Sequence, residues 1–390
     1  MHARLQKRLT PKKVDDSGRR RFYLEAQKQD QLRVVQSLRS ELLGSLGEPQ
    51  VKPSYSKATE ALSFYQTIPV YGEASEGPPS VASFFQIPET LVDFPEDMNR
   101  YLCCLRPAGH VCHLLVHGKL ATLRKSDGRI VRRFRTQLPH GTVLVCVMAD
   151  AEVLVLDALA WKGVVILDMP AEHRLVFLGG RVEDFRLDHP TDHVTMVTYQ
   201  FTTSAVVEQL VGLAQAPHRD PELLQYTPDG MLFVHAESFH LPGCSPICLL
   251  WRTPELSEWF VDDPSGSGVP DLQSARLALE LQTGELRAAD ETAVCRLQDG
   301  QLAAARQKCG KATGTAFVRV TFSDLTFAPV ALQDAQLESV CKGGRRALEN
   351  KVSSVNRLVQ QYLARRHVLL GEDYLLSVSR LLEELRARSL

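Results

Sequence analysis

Apolar and polar positions divide the chain into stretches of different rhythm. From Ser17 to about Leu43, apolar residues fall at Phe22, Leu24, Leu32, Val35, Leu38 and Leu42, near three- and four-residue spacing with charges between, which predicts a helix. Ser17 is a suitable N-cap and Gly44 a suitable stop. The apolar stripe is thin, so the helix is expected to order against a partner. Residues 45–83 are rich in Pro, Gly and Ser (GEPQVKPSYS, YGEASEGPPS) and read as a flexible linker.

A different rhythm holds from 84 to 260. β-rich runs stand at Tyr101–Leu105, Val111–Val116, Val143–Met148, Val153–Leu156, Val164–Leu167, Leu175–Leu178, Val194–Tyr199 and Met231–Val234. Turn signals such as Ser-Asp-Gly and Pro-His-Gly separate them, and one helix is predicted over Ser204–Ala214. This pattern predicts an α+β domain of two mostly antiparallel sheets packed face to face. A second linker, DDPSGSGVPD, covers 262–271. Strands follow at Ala275–Leu281, Glu285–Leu286, Ala293–Leu297 and Ala316–Phe322, compatible with a small β-barrel, and the pattern turns helical from about Gln333. The expected domains are residues 1–44, 45–83, 84–260 and 272–390.

Charge sharpens this division. Residues 1–39 carry eleven Lys/Arg against four acids, a net +7, which leaves −8 for the rest of a chain whose net charge is −1. A basic head on an acidic body points to an acidic partner for the head: nucleic acid, an anionic membrane or an acidic protein groove. Nine cysteines without CxxC spacing read as reduced thiols in a cytosolic or nuclear protein. The start MHARLQKRLTPKK has no apolar core and no run approaches eighteen apolar residues, so neither secretion nor membrane insertion is expected.

Four groups of residues could carry chemistry. Arg19-Arg20-Arg21 and the basic helix behind them fit a solvated phosphate-binding surface or a nuclear import signal. Lys125-Ser126-Asp127-Gly128 fits a β-hairpin turn, and it also resembles the Lys-x-Asp-Gly of nucleotidyl transferases, whose lysine attacks an α-phosphate. Asp229-Gly230 opens an apolar strand, and Trp251-Arg252 would offer a base-stacking ring beside a cation, although a Trp on an apolar strand is more often core. His110, His113 and His117 lack a thiol or carboxylate to complete a metal set, and no cofactor is expected.

At this point the chain resembles a known family. SGRRRFYLEAQKQDQLRVVQSLRSELL is similar to the importin-β-binding head of snurportins. LVDFPEDM, RPAGHVCHLLV, KSDGRIVRRF, LPHG, VLDALAWKG, DGMLFVHAESFHLPG and SPICLLWR recur in snurportin order, so the resemblance covers roughly residues 1–255. It implies an import adaptor moving between cytoplasm and nucleus. Its cap-binding domain would be related to mRNA-capping guanylyltransferases and would bind the trimethylguanosine cap of spliceosomal snRNAs. The expected partners are importin-β, a capped snRNP and, left open, an export receptor.

Carried onto this sequence, the family's cap contacts fall at Ile87, Pro88, His110, Val111, Cys112, Lys125 or Ser126, Gly179, Arg181, Leu250 and Trp251. Its importin contacts fall at Arg19, Arg20, Arg21, Lys28, Arg33 and Arg39. The guanylyltransferase nucleophile position would hold Arg106, and the metal carboxylate would fall within Val145–Val147, so no catalytic residue is expected. Two departures stand out. The stacking Trp of the family aligns with Leu250, one residue before Trp251, and its early serine and neighbouring aromatic appear as Pro88 and Thr90. LALELQTGEL and RRALENKVSSVNRLVQQYL are similar to the OB-fold portion of full capping enzymes. The rival readings are a guanylyltransferase-like enzyme using Lys125 and a binding module for another RNA cap or nucleotide.

Overall fold

The computed structural model describes residues 16–29 and 84–388, apart from 93, 127, 150–151, 190–193, 216–223, 225, 262–271, 328, 343–347, 349–350 and 372–376. Residues 45–83, expected as a linker, and the continuation of the basic helix through Arg33 and Arg39 lie outside the described residues.

The described head is one helix, α1 (Asp16–Gln29). The middle of the chain holds β1 (Gln86–Thr90), β2 (Tyr101–Pro107), β3 (Val111–His117), β4 (Leu120–Lys125), β5 (Ile130–Arg135), β6 (Val143–Ala149), β7 (Glu152–Trp161) and β8 (Val164–Val165). Helix α2 (Ala171–Asp188), β9 (Val194–Met196), β10 (Gln200–Phe201), helix α3 (Ser204–Gln215), β11 (Pro228–His235) and β12 (Gly243–Trp251) complete it. One sheet runs in the order β1-β12-β11-β2-β10 and the other in the order β5-β4-β3-β6-β7-β8, with β9 beside β7. Pairing is antiparallel except for β1 on β12 and β9 on β7, so the class is mixed α+β with mostly antiparallel sheets, as the strand spacing implied.

Alternation of side chains along each strand gives every sheet two faces. Leu102, Cys104, Leu232, Val234 and Cys248 of the first sheet meet Leu115, Val143, Val145, Leu154 and Leu156 of the second in one core. Leu178, Val182 and Phe185 of α2 cover the far face of the second sheet. Val207, Leu210 and Val211 of α3 cover the far face of the first. Helix α2 corrects one expectation: Leu175–Leu178, read as a strand, lies inside it. Its buried residues Ala171, Arg174, Leu175, Leu178, Val182 and Phe185 keep helical spacing, whereas the short apolar run before Gly179-Gly180 mimics a strand ending in a turn.

A third body follows the second linker: β13 (Gln273–Glu280), β14 (Glu285–Arg287), β15 (Ala293–Arg296), helix α4 (Asp299–Cys309), β16 (Thr315–Phe322), β17 (Asp324–Phe327), β18 (Val330–Gln333) and β19 (Gln336–Val340). Five strands form a sheet in the order β15-β14-β13-β16-β19, with β17-β18 as a separate ribbon. The expected barrel does not close: among the described residues β15 and β19 end the sheet unpaired with each other. Helix α5 (Val355–Leu370) buries Leu358 and Tyr362 in this core. Strand pairing thus persists to Val340, beyond Gln333 where the pattern suggested helix, and α4 was not foreseen. Helix α6 (Val378–Ala387) returns to the first sheet, where Leu381 and Leu385 join the core beneath α3.

Candidate functional site

The residues expected to contact a cap fall into four places. Ile87 and Pro88 lie on β1, paired with Cys244 and Ser245 of β12. His110, Val111 and Cys112 lead into β3, and Cys112 stands opposite Lys125 of β4, with Ser126 next in the turn. The ladder therefore brings two separately proposed groups side by side at one end of the second sheet. Gly179 and Arg181 are on α2, on the face of that sheet away from the first. Arg181 is exposed, 3.7 Å from Asp184 and with its guanidinium 5.3 Å from the Phe177 ring.

Leu250 and Trp251 separate. Leu250 stands opposite Thr90 on one side and Leu232 on the other. Leu232 belongs to the inter-sheet core, so Leu250 points to the inter-sheet face. Trp251, one residue on, points to the opposite face. It is 0 % exposed, edge-on to Phe94 at 5.8 Å and tilted against Phe233 at 6.4 Å. Trp251 is thus a core residue, which corrects its assignment as a stacking platform: a base has no access to a ring packed on every side.

Arg106, expected at the guanylyltransferase nucleophile position, sits at the end of β2. Its guanidinium donates to Asp229 Oδ2 at 2.5 Å and to the carbonyls of Pro107 and Gly109, each at 3.0 Å. Arg252 donates to the same Oδ2 at 2.7 Å, and the Ser257 hydroxyl to Oδ1 at 2.6 Å. Burial pulls Arg106 down to about 10, with Asp229 opposing that shift, and the group stays cationic at neutral pH. The backbone is tight here: Gly230 has φ +90°, and a Cβ on it would lie 2.4 Å from the Trp251 carbonyl oxygen. Of the two guanidinium groups on Asp229, Arg252 is the more exposed. It offers no amine for a lysyl-nucleotide bond.

Two further features were missed in the sequence. Phe85 stacks on His113 at 3.7 Å and 22°, joining the approach to β1 with the inner face of β3. Trp259, 50 % exposed, donates its backbone N–H to Ser257 Oγ at 3.0 Å, which ties its backbone to the Asp229 cluster. Neither belongs to a motif; a turn following Trp-Arg gave no signal that its tryptophan would be outside.

The hairpin β4–β5 carries the densest positive charge of the described body: Arg124, Lys125, Arg129, Arg132, Arg133 and Arg135. Gly128 N–H donates to Lys125 C=O, and the Arg124 guanidinium to Gly128 C=O, so β4 and β5 pair as the two arms of a hairpin. Arg132 and Arg135 are exposed on β5, which among the described residues is paired on one side only, and Arg129 is exposed just before it. Among the described residues no His/Cys/Asp/Glu group is arranged to hold a metal ion, and no helix is long and apolar enough to cross a membrane.

The basic helix α1 lies on the body. Arg20, Tyr23, Leu24 and Gln27 form its buried face, the i, i+3, i+4, i+7 set of one helical side. Tyr23 and Leu24 pack on Ile247 of β12, while Phe22, in the expected apolar stripe, faces outward. Arg19 donates to both oxygens of Glu89 at 2.6 and 2.7 Å, and Asn356 of α5 donates to the same carboxylate at 3.0 Å. Lys28 and Arg100 both pair with Glu237.

With this geometry in hand, the class is that of a two-sheet, mixed α+β domain. Residues 85–254 match the family described as Snurportin1, m3G cap-binding domain, and over this stretch the chain is snurportin-like. Among solved structures, a Lig E DNA ligase is similar at 9 % identity and TM-score 0.32, covering 66 % of this chain and 98 % of that one. Mycobacterial DNA ligase D with ATP and MES is similar at 10 % identity and TM-score 0.29, covering 65 % and 92 %. Chlorella virus DNA ligase-adenylate is similar at 9 % and 0.26, covering 66 % and 97 %.

Proposed function

We propose that the protein is a nuclear import adaptor that binds the trimethylguanosine cap of spliceosomal snRNAs and links the snRNP to importin-β through its basic head. The observation that carries the reading is the match of residues 85–254, which span both sheets of the domain, to the m3G cap-binding family. A methylated guanine is cationic and should sit against aromatic or apolar side chains, and its triphosphate against cations. Leu250 on the inter-sheet face, His110–Cys112 and Lys125–Ser126 supply the candidate contacts, with Arg252 for the triphosphate and the β4–β5 arginines for the RNA phosphates beyond the cap. The protein binds without group transfer: Arg106 is engaged in ion pairing where a nucleophilic lysine would stand. Traffic between cytoplasm and nucleus follows from the two ends of that task. The β13–β19 strands with α4 and α5 are proposed as an OB-like unit, whereas α6 belongs with the first sheet.

Leucine at 250 favours a second reading, in which the site takes more than one cap. Titration of the whole chain with trimethylated, monomethylated and unmethylated GpppG separates the two. Selectivity for the trimethylated cap supports the adaptor. Equal affinities support the broader module, and no binding overturns both. Retention of radiolabel from GTP on denaturing gels, lost in Lys125→Ala, would reinstate an enzyme.

A further inference from the structure

The head of the chain carries the cations proposed for the receptor, and the body carries a surface that already holds them. Glu89 is 2 % exposed, and its carboxylate is shared by Arg19 of α1 and Asn356 of α5. The Asp290 carboxyl of the third body is close enough to feel Arg19: burial pushes it above the usual carboxylate range, and Arg19 pulls it back. At the other end of α1, Lys28 meets Glu237, the Gln27 side-chain oxygen accepts from Phe239 N–H at 3.2 Å, and Tyr23 and Leu24 close over Ile247 between them. An acidic rim at each end with an apolar floor is the recognition chemistry expected of a groove for a basic amphipathic helix.

We infer that this groove is an internal docking site for α1 and competes with importin-β for the same helix, an inference that rests on the import reading. Arg19 is 18 % exposed and Arg20 is buried in the docked helix. Of the described importin candidates, Arg21 and Lys28 face solvent, and Lys28 is held by Glu237. A receptor that reads Arg19 and Arg20 has to lift the helix from β12 first. Its apparent affinity is then its intrinsic affinity reduced by the fraction of molecules with α1 released. Three separate parts of the chain meet at Glu89, so the docked state also reports that the cap-binding domain and the third body are in place against each other.

The experiment uses the full chain as wild type, Glu237→Gln, and Glu89→Gln/Glu237→Gln. Amide hydrogen exchange over residues 16–29 is measured without receptor, and importin-β affinity by titration. Expected are protection of 20–28 in the wild type, loss of it in the double variant, and about tenfold tighter importin-β binding as the released fraction rises. Glu237→Gln alone, a partly exposed position, shifts both readouts less and in the same direction, which covers a fold defect in the double variant. Equal importin-β affinity across the three proteins, or an unprotected helix in the wild type, overturns the competition. No importin-β binding by any form, with exchange still altered, overturns the receptor assignment and leaves α1 an internal brace.

Discussion

Alternation along β12 sends Leu250 and Trp251 to opposite faces of the first sheet, and this single step separates a core ring from a stacking position. Trp251→Ala should cost about 3–5 kcal/mol, read as a lower urea midpoint, because the cavity opens among Phe94 and Phe233. Leu250→Trp should tighten cap binding by about 1–3 kcal/mol, since base–aromatic stacking is of that order; unchanged affinity in a titration would remove position 250 from the site. The network of Asp157 is a second test. Its carboxyl accepts from Arg174 at 2.7 and 2.9 Å and lies 3.0 Å from His240 Nδ1. Burial pushes its pKa up, and Arg174 and His240 more than offset that, so the folded value is below the ordinary 3.8. The stability this contributes is present above pH 4 and is lost as pH falls from there toward the folded value. Asp157→Asn should flatten the acid limb of a urea-midpoint-against-pH curve while lowering the neutral plateau, where Arg174 loses its partner. None of this was legible in the sequence: Asp157, Arg174 and His240 meet only through the packing of α2 and residues 239–241 on β7.

Elements were read with more success where local chemistry decided them. The Ser-Asp-Gly turn between two β-rich runs gave the β4–β5 hairpin, and Gly128 takes φ +82° there, as such a turn demands. Helix α3 follows its predicted bounds to within a residue at Ser204–Gln215, because its apolar residues recur at helical spacing through to Ala214. Helix α2 was misjudged in part because a pair of glycines inside it look like a stop, and tertiary burial of Leu178 and Val182 overrides them. The charge of β5 was visible, but its place on an outer strand was not, since strand order is a property of the sheet. That placement has a consequence. Arg132, Arg133 and Arg135 each changed to Gln should leave a cap dinucleotide's affinity nearly unchanged and weaken a capped oligonucleotide. The slope of log affinity against log salt should become shallower by about 0.7 for each RNA phosphate that the variant no longer neutralises. Equal weakening for both ligands would instead place these arginines on the cap itself.

At the scale of the whole molecule, the family match and the folding unit do not coincide. Residues 85–254 contain both sheets, yet the outer core of the first sheet is finished by α6, whose Leu381 is 0 % exposed beside Leu210 and Leu249. Arg388 adds a guanidinium bond to the Pro95 carbonyl at 2.6 Å, and Arg386 pairs with Glu208 of α3. Helix α5 ties the same sheet to the third body: Asn356 donates to Glu89 of β1 at 3.0 Å, and Gln360 and Gln361 donate to the Phe260 carbonyl at 3.1 and 2.9 Å. The sequence pattern ends the cap-binding domain at 260 because no local signal announces that a helix about 120 residues later will cover it. Leu381→Ala should therefore destabilise the cap-binding domain, not a peripheral tail, by about 2–5 kcal/mol. Cap titration followed through a thermal melt measures this directly, because the cap stabilises only the fold that binds it. A variant that melts earlier, keeps its cap affinity below the transition and unfolds in one step with the third body would make residues 84–388 one cooperative unit. Loss of the third body alone, with cap-stabilised melting unchanged, would restore the boundary at 260 and reduce α6 to a strap.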